Sequence, residues 1–284
     1  MQDLARSTDD YLSLLFTLPS LSATTVLSLF LLTAARLMPI IALSPFFGAK
    51  AIPTMAKMLL VTCLCAVFLP ANLIHVAKEV PFDISFIGYL LKELFIGFVM
   101  GFLAAFPFFV VQSSGSLIVH MRGSSSLQVT DPSTQSQTGP IGILYNYVLI
   151  LTFYALDGPF LLLSAVGRSF QVLPLNQFIN SSFFSINIPL WKLIISLFSQ
   201  LMQMALQLAA PSLVGILMAE MFLGIANRLA PNVQIVFLGI PIKSWLGIAL
   251  LLMAWSLVIN QMGKESIAWI KTVEKTILYT PKAS

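Results

Sequence analysis

Charged residues are scarce in this sequence. Asp, Glu, Lys and Arg make up 9% of the 284 residues, whereas 58% are hydrophobic and the mean hydropathy is +0.92. A soluble domain usually carries about 25% charged residues. The shortage excludes an ordinary soluble globular protein and predicts an integral membrane protein.

Histidine and cysteine are also rare, with two of each. Cys63 and Cys65 are one residue apart in an apolar run, where helical side chains diverge, so neither a disulfide nor a metal site is expected. The sequence shows no metal-binding helix motif, phosphate-binding loop, dinucleotide fingerprint or nucleophile elbow. We therefore expect no cofactor, no metal and no enzymatic activity. The net charge of +4 includes no basic stripe of the kind that binds nucleic acid.

Long uncharged runs indicate the fold. Residues 58–77, 94–121 and 193–219 each approach or exceed the roughly 20 residues that a spanning helix needs. Residues 11–32 lack the flanks of a cleaved signal and are expected to remain as a helix. The sequence thus predicts an all-α integral membrane protein with six to eight hydrophobic helices. They are expected to form hairpins, some kinked, as at Pro107, and some not fully spanning.

The C-terminal residues differ from the rest in charge. Residues 1–262 are predicted to form a single membrane-embedded helical domain, and residues 263–284 a basic amphipathic tail. Lysines outnumber acids in this tail, so the positive-inside tendency places it in the cytoplasm. The acidic N-terminus is expected outside.

One polar stretch interrupts the apolar sequence. Residues 112–140 are rich in Ser, Gly, Gln and Thr, with only Arg122 and Asp131 as formal charges. A loop in bulk water usually has more charges, and an irregular loop facing lipid would leave its backbone groups without hydrogen-bond partners. We therefore expect this loop to line or close a water-filled pore. Its glycines and serines permit movement.

Several charges lie within or beside apolar runs. An arginine at mid-bilayer costs about 2.5–3.5 kcal/mol on insertion scales, so Arg36 should either face protein or water, or extend to the headgroups. Lys92 and Glu93 are adjacent and point to different sides of a helix, so they cannot simply neutralise each other and at least one of them needs another partner. Gly97 and Gly101 then follow with the spacing that lets two membrane helices approach closely.

Glu220, Arg228 and Lys243 form a second group of charges near apolar sequence. They must pair, or face a polar cavity or another subunit, because unpaired burial would be destabilising. Structural ion pairing and ion transport both fit this group. A polytopic secondary transporter for a small solute or ion is therefore the alternative function, although the two halves show no repeated pair of interrupted helices.

Five segments, taken in order, resemble one protein family. They are ARLMPIIALSPFFGAKAIP with a following Lys57, KELFIGFVMGF, GSLIVHMRGSSSLQVTDPS, LDGPFLLLSAVGRSFQVLP and MAEMFLGIANRLAPNVQIVFLGIPIK. Together they resemble the export-gate subunit of type III secretion, called FliR in flagella and SctT, SpaR or YscT in injectisomes. The overall similarity favours the injectisome branch.

This resemblance implies a non-enzymatic subunit of the export gate in the bacterial inner membrane. It implies a hetero-oligomer with membrane proteins of the FliP/SctR, FliQ/SctS and FlhB/SctU types, surrounded by membrane lipid and raised toward the periplasm. Helical hairpins in this family do not simply cross the bilayer. The channel would pass unfolded polypeptide substrates by passive gating, with energy supplied elsewhere and no part for nucleic acid.

The resemblance also assigns roles to residues. The segment from residue 121 to residue 133 corresponds to a plug inside the channel, and Arg36, Glu93, Arg228 and Pro231 correspond to assembly contacts. Lys92, Glu220 and Lys243 join these as candidates for assembly or ion pairing. The expected plug residues are Met121, Arg122, Gly123, Ser124, Ser125, Ser126, Asp131, Pro132 and Ser133.

Overall fold

Helices make up most of the part of the chain that the structure, a computed structural model, describes. The described residues are 23–48, 52–75, 83–123, 129–130, 137–178, 189–229 and 235–278. The helices are α1 (Ala23–Leu43), α2 (Thr54–His75), α3 (Ile84–Met121), α4 (Pro140–Ala155), α5 (Gly158–Val172), α6 (Pro189–Leu229), α7 (Ile235–Met253) and α8 (Trp255–Leu278), with a 3₁₀ turn at Pro45–Phe47. The predicted all-α membrane fold is confirmed.

Four of the described helices are long and apolar enough to cross a membrane, or up to six spans if each bent helix pair counts as one. The two longest, α3 and α6, contain 38 and 41 residues. At 1.5 Å per residue they extend about 57 and 61 Å. The hydrocarbon core of a bilayer is only about 30 Å thick, so each is roughly twice as long as a crossing requires.

Two helix pairs are bent sharply. The axes of α4 and α5 meet at 69°, and those of Gly239–Met253 and Trp255–Ser266 meet at 62°. Asp157 lies in the first bend with φ at 56°, a left-handed conformation that non-glycine residues rarely adopt. Each pair is either a broken span or a re-entrant segment.

The polar stretch contains a short β-ladder, where the sequence predicted irregular backbone. Strand β1 (Val129–Thr130) pairs antiparallel with β2 (Gln137–Thr138), and Val129 lies opposite Thr138. Val and Thr are β-branched and suit a strand, but two residues are too few for an alternating pattern to show in the sequence.

The chain divides into two compact units. The first contains Met1–Ala104, Leu163–Leu190 and Val273–Ser284, and the second contains Ala105–Leu162 and Trp191–Thr272. The four boundaries along the chain all lie inside helices, after residue 104 in α3, residue 162 in α5, residue 190 in α6 and residue 272 in α8. Each unit is therefore built from segments that are distant in the sequence.

In the first unit, α1 packs backbone to backbone against the N-terminal half of α3. A Cβ atom added to Gly97 would overlap the main-chain carbonyl oxygen of Arg36, and one added to Gly101 would lie 2.9 Å from Ile40 Cα. The two glycines thus stand where the helices are closest. Asn72 Nδ2 donates a hydrogen bond of 3.1 Å to Thr33 Oγ1, which joins α2 to α1.

In the second unit, a similar close approach joins α3 to α4. A Cβ added to Gly115 would lie 2.5 Å from Gly142 Cα. Tyr145 of α4 donates a hydrogen bond of 3.3 Å to the Leu208 carbonyl of α6, and Ser212 of α6 donates one of 3.1 Å to the Gly247 carbonyl of α7. These contacts fix α3, α4, α6 and α7 around the start of the polar stretch.

Candidate functional site

The predicted plug begins where α3 ends, at Met121. Gly123 follows with φ at +79°, a left-handed conformation that glycine adopts at little cost, and its N–H donates 3.0 Å to the His120 carbonyl. The other predicted plug residues, Ser124, Ser125, Ser126, Asp131, Pro132 and Ser133, lie outside the described residues.

Arg122, the first residue after α3, is hydrogen-bonded to α7. Its Nη2 donates a hydrogen bond of 2.5 Å to Ser244 Oγ. Its side-chain stem packs on Gly247, where an added Cβ would lie 3.1 Å from Arg122 Cγ and Cδ. Gly247 therefore leaves room for the arginine, and Ser244 fixes its charged end.

Within the described residues, the second group of charges contains one ion pair. Lys243 Nζ of α7 lies 2.6 Å from Glu220 Oε1 of α6, and the Glu220 side chain is 40% exposed. Arg228 is exposed near the end of α6, and Pro231 lies outside the described residues. An ion pair with this exposure is screened by solvent and contributes little stability on its own.

The most deeply buried charges lie in the first unit, around Arg36. This side chain is fully buried, so its charged end does not extend to the headgroups. Its Nε lies 2.5 Å from Glu93 Oε2, and its Nη1 donates 3.0 Å to Ser169 Oγ. Its Nη2 donates 2.9 Å to the Leu173 carbonyl, and its guanidinium carbon lies 4.3 Å from the centre of the Phe170 ring. Arg36 thus ties α1, α3 and the end of α5 together.

Lys92 corrects one part of the sequence reasoning. Its Nζ lies 2.7 Å from Glu93 Oε1, so the two adjacent side chains do form an ion pair. The reason is side-chain length, because a lysine can fold back across the 100° that separates neighbours on a helix. The ammonium also donates to the carbonyls of Pro174, at 2.8 Å, and Gln177, at 2.9 Å.

We call Arg36, Lys92, Glu93 and Ser169 the buried charge cluster. It holds two cations and one anion, and the carbonyls after α5 supply the remaining acceptors. Such burial is tolerated only when each charge has partners. The cluster therefore fixes residues 169–177 against α1 and α3.

Several of these contacts could not be predicted from the amino-acid sequence. Ser169 and Ser244 have no feature that sets them apart from other serines in helices. Gly115 and Gly142 are 27 residues apart, so no small-residue spacing within one helix marks them. Each acquires its role only when two helices meet.

Comparison with known proteins decides the family. The family described as "Bacterial export proteins, family 1" matches residues 27–267, which include the buried charge cluster, the polar stretch and the Glu220–Lys243 pair. The chain belongs to this family. The resemblance to the FliR/SctT export-gate family is thereby confirmed.

Individual relatives of this export-family protein agree. It is 33% identical over 192 residues to the Yop proteins translocation protein T of Yersinia pestis, covering 67% of this chain and 70% of the relative. It is 26% identical over 196 residues to the secretion system apparatus protein SsaT of Salmonella typhimurium, covering 68% and 71%. It is 26% identical over 230 residues to the flagellar biosynthetic protein FliR of Escherichia coli, covering 79% and 83%.

Proposed function

We propose that this protein is a non-enzymatic subunit of the inner-membrane export gate of a type III protein secretion system. In this role it helps to form and plug the channel for unfolded substrate proteins. The family match over residues 27–267 carries the proposal, since it includes nearly every described helix. The relatives named for translocation, a secretion system apparatus and flagellar biosynthesis support it.

The exposed apolar surface supports a hetero-oligomer. Only 11% of the 18-residue apolar window within Thr54–Leu73 is buried inside the chain, and Met55 and Leu59 are 84% and 69% exposed. Lipid or neighbouring subunits must cover such surfaces. We assign neighbours of the FliP/SctR, FliQ/SctS and FlhB/SctU types. The excess length of α3 and α6 supports an assembly that extends beyond the hydrocarbon core, and we place the raised part on the periplasmic side.

The charged residues take two roles in this proposal. Arg36, Lys92 and Glu93 are enclosed within the chain, so they support assembly by holding its fold. Arg228 and the partly exposed pair of Glu220 and Lys243 are accessible to a neighbouring subunit, and we group Pro231 with them.

We propose that the chain has two parts. Residues 1–262 form the membrane-embedded part, and residues 263–284 the cytoplasmic tail. Helix α8 runs through residues 262 and 263 without a break, so the tail begins as a direct extension of the embedded helix.

In this proposal the plug closes the channel by occupying it, and no chemical reaction is involved. The bond from Arg122 to Ser244 fixes the polar stretch at the point where α3 ends, and Gly123 has a left-handed conformation there. When a polypeptide enters, the stretch moves aside while this end stays attached. No bond is made or broken, and the energy comes from elsewhere.

Deletion of residues 124–128 tests the plug. The deletion keeps Arg122, Gly123 and the β1–β2 ladder, so we expect the complex to assemble but to leak ions severalfold faster than wild type. Ion conductance of the purified complex in planar bilayers is the measurement.

The matched control replaces residues 124–128 with five Gly and Ser residues. It preserves length and polarity, so its leak should stay near that of wild type. If the deletion leaked no more than the replacement and secretion were unchanged, the plug role would be wrong. Saturable uptake of a small solute would instead favour the secondary transporter.

A further inference from the structure

A groove of about 980 Å³ lies on the second unit, lined by residues of α6, the end of α7 and α8. Its lining includes the small residues Ala210, Gly215 and Ala254, together with Pro211. The bend between α7 and α8 falls at Ala254, within the groove. Small side chains at a helix bend leave the space that larger ones would fill.

The groove is polar at one end and apolar at the other. Gln207, Asn260, Gln261 and Lys264 line the polar end, where Gln261 Nε2 lies 3.2 Å from Gln207 Oε1 and joins the two helices. The apolar end has large exposed side chains: Val214 is 57% exposed, Met218 67%, Met253 80% and Leu257 69%. The groove therefore suits an amphiphilic ligand, whose polar head would lie at the polar end and whose apolar tail would lie at the other end.

Its length matches one leaflet of a bilayer. Eleven residues separate Gln207 from Met218 on α6, which corresponds to about 16 Å along the helix. Half of a hydrocarbon core is about 15 Å thick. An acyl chain that starts at the polar end would thus reach the apolar end.

The positive charge of Lys264 indicates an anionic headgroup for a ligand in the groove. Lys264 is exposed, and among the described residues its ammonium forms no ion pair. Its acidic neighbour Glu265 accepts a hydrogen bond of 3.0 Å from Gln261 Nε2. Lys264 also stands where the predicted cytoplasmic tail begins, beside the leaflet face at which basic residues meet anionic headgroups.

From this match we propose that the groove binds an anionic phospholipid of the cytoplasmic leaflet. Lys264 and the Asn260 amide hold the phosphate, and one acyl chain lies along Leu257, Met253 and Met218. The bound lipid completes the apolar surface between α6 and α8.

Native mass spectrometry of the full complex tests this site, with phosphatidylglycerol and phosphatidylethanolamine as the probes at equal concentration. One lysine near an anionic surface favours binding by about fivefold, so wild type should retain phosphatidylglycerol at roughly that excess. Lys264→Glu should abolish the excess. Lys57→Glu makes the same charge change on α2, at a residue that does not line the groove, and should preserve it.

A second pair of variants tests the acyl-chain half. Met253→Trp should block the groove and lower retention of both lipids, whereas Leu252→Trp, at an exposed neighbour that does not line it, should not. The proposal is overturned if Lys264→Glu and Lys57→Glu retain lipid equally, or if Met253→Trp and Leu252→Trp do. It is also overturned if the wild-type complex retains no lipid, which would indicate a protein segment in the groove.

Discussion

Replacement of Glu93 by alanine is expected to destabilise the protein by about 3–5 kcal/mol, because it leaves buried cations without their anion. Arg36 is fully buried and Lys92 is 7% exposed, so water cannot replace the lost carboxylate. Such a loss is comparable with the whole stability of many proteins, about 5–15 kcal/mol. The amount of full-length protein in membranes should fall severely, and thermal unfolding in mild detergent measures the remaining stability.

Two controls separate the cluster from a general effect of losing an acid. Glu220→Ala removes a carboxylate that is 40% exposed and should change stability by less than about 1 kcal/mol. The double variant Arg36→Met with Glu93→Leu removes the Arg36–Glu93 pair and leaves the Lys92 ammonium with its carbonyl acceptors. It should recover part of the loss, because apolar side chains can replace a buried pair. If Glu93→Ala were as stable as Glu220→Ala, the cluster would not hold the fold.

Replacement of Gly97 by alanine should have the second large effect. The added Cβ would overlap the Arg36 carbonyl, which belongs to the backbone of α1 and cannot rotate away. Overpacking of this kind costs about 1–3 kcal/mol and sometimes more. Because α1 carries Arg36, its displacement would also lengthen the contact with Glu93. We expect a lower unfolding temperature and less assembled complex.

Gly224 on α6 supplies the matched control. A Cβ added there has no atom within 4 Å, so Gly224→Ala should be neutral or slightly stabilising, since alanine is the better helix former. Equal unfolding temperatures for Gly97→Ala and Gly224→Ala would mean that α1 and α3 separate easily, contrary to the packing described above.

Composition was enough to predict the membrane class and the helices, because the length of an uncharged apolar run can be read from consecutive residues. For Arg36 the sequence left two possibilities, a contact with protein or water and an extension to the headgroups, and only the burial of this side chain decides between them. The identity of its partners could not be predicted either, because Arg36 and Glu93 are 57 residues apart and Arg36 and Ser169 are 133 apart. Such pairs depend on how helices pack, which a single sequence does not record.

Two further contacts show where local reasoning stops. Lys92 and Glu93 pair although they are neighbours, because long side chains bend further than a helical wheel suggests. The bond from Arg122 to Ser244 fixes the start of the predicted plug, yet Ser244 sits in an apolar stretch of α7 without any motif. The composition of the polar stretch indicated a pore, but its attachment required the fold.

The native mass of the complex that co-purifies from its own membranes in mild detergent tests the export-gate assignment most directly. With a tag after Ser284, we expect one copy of this chain together with several copies of two smaller membrane proteins. A lone monomer or a homodimer would contradict the assignment and would favour a secondary transporter.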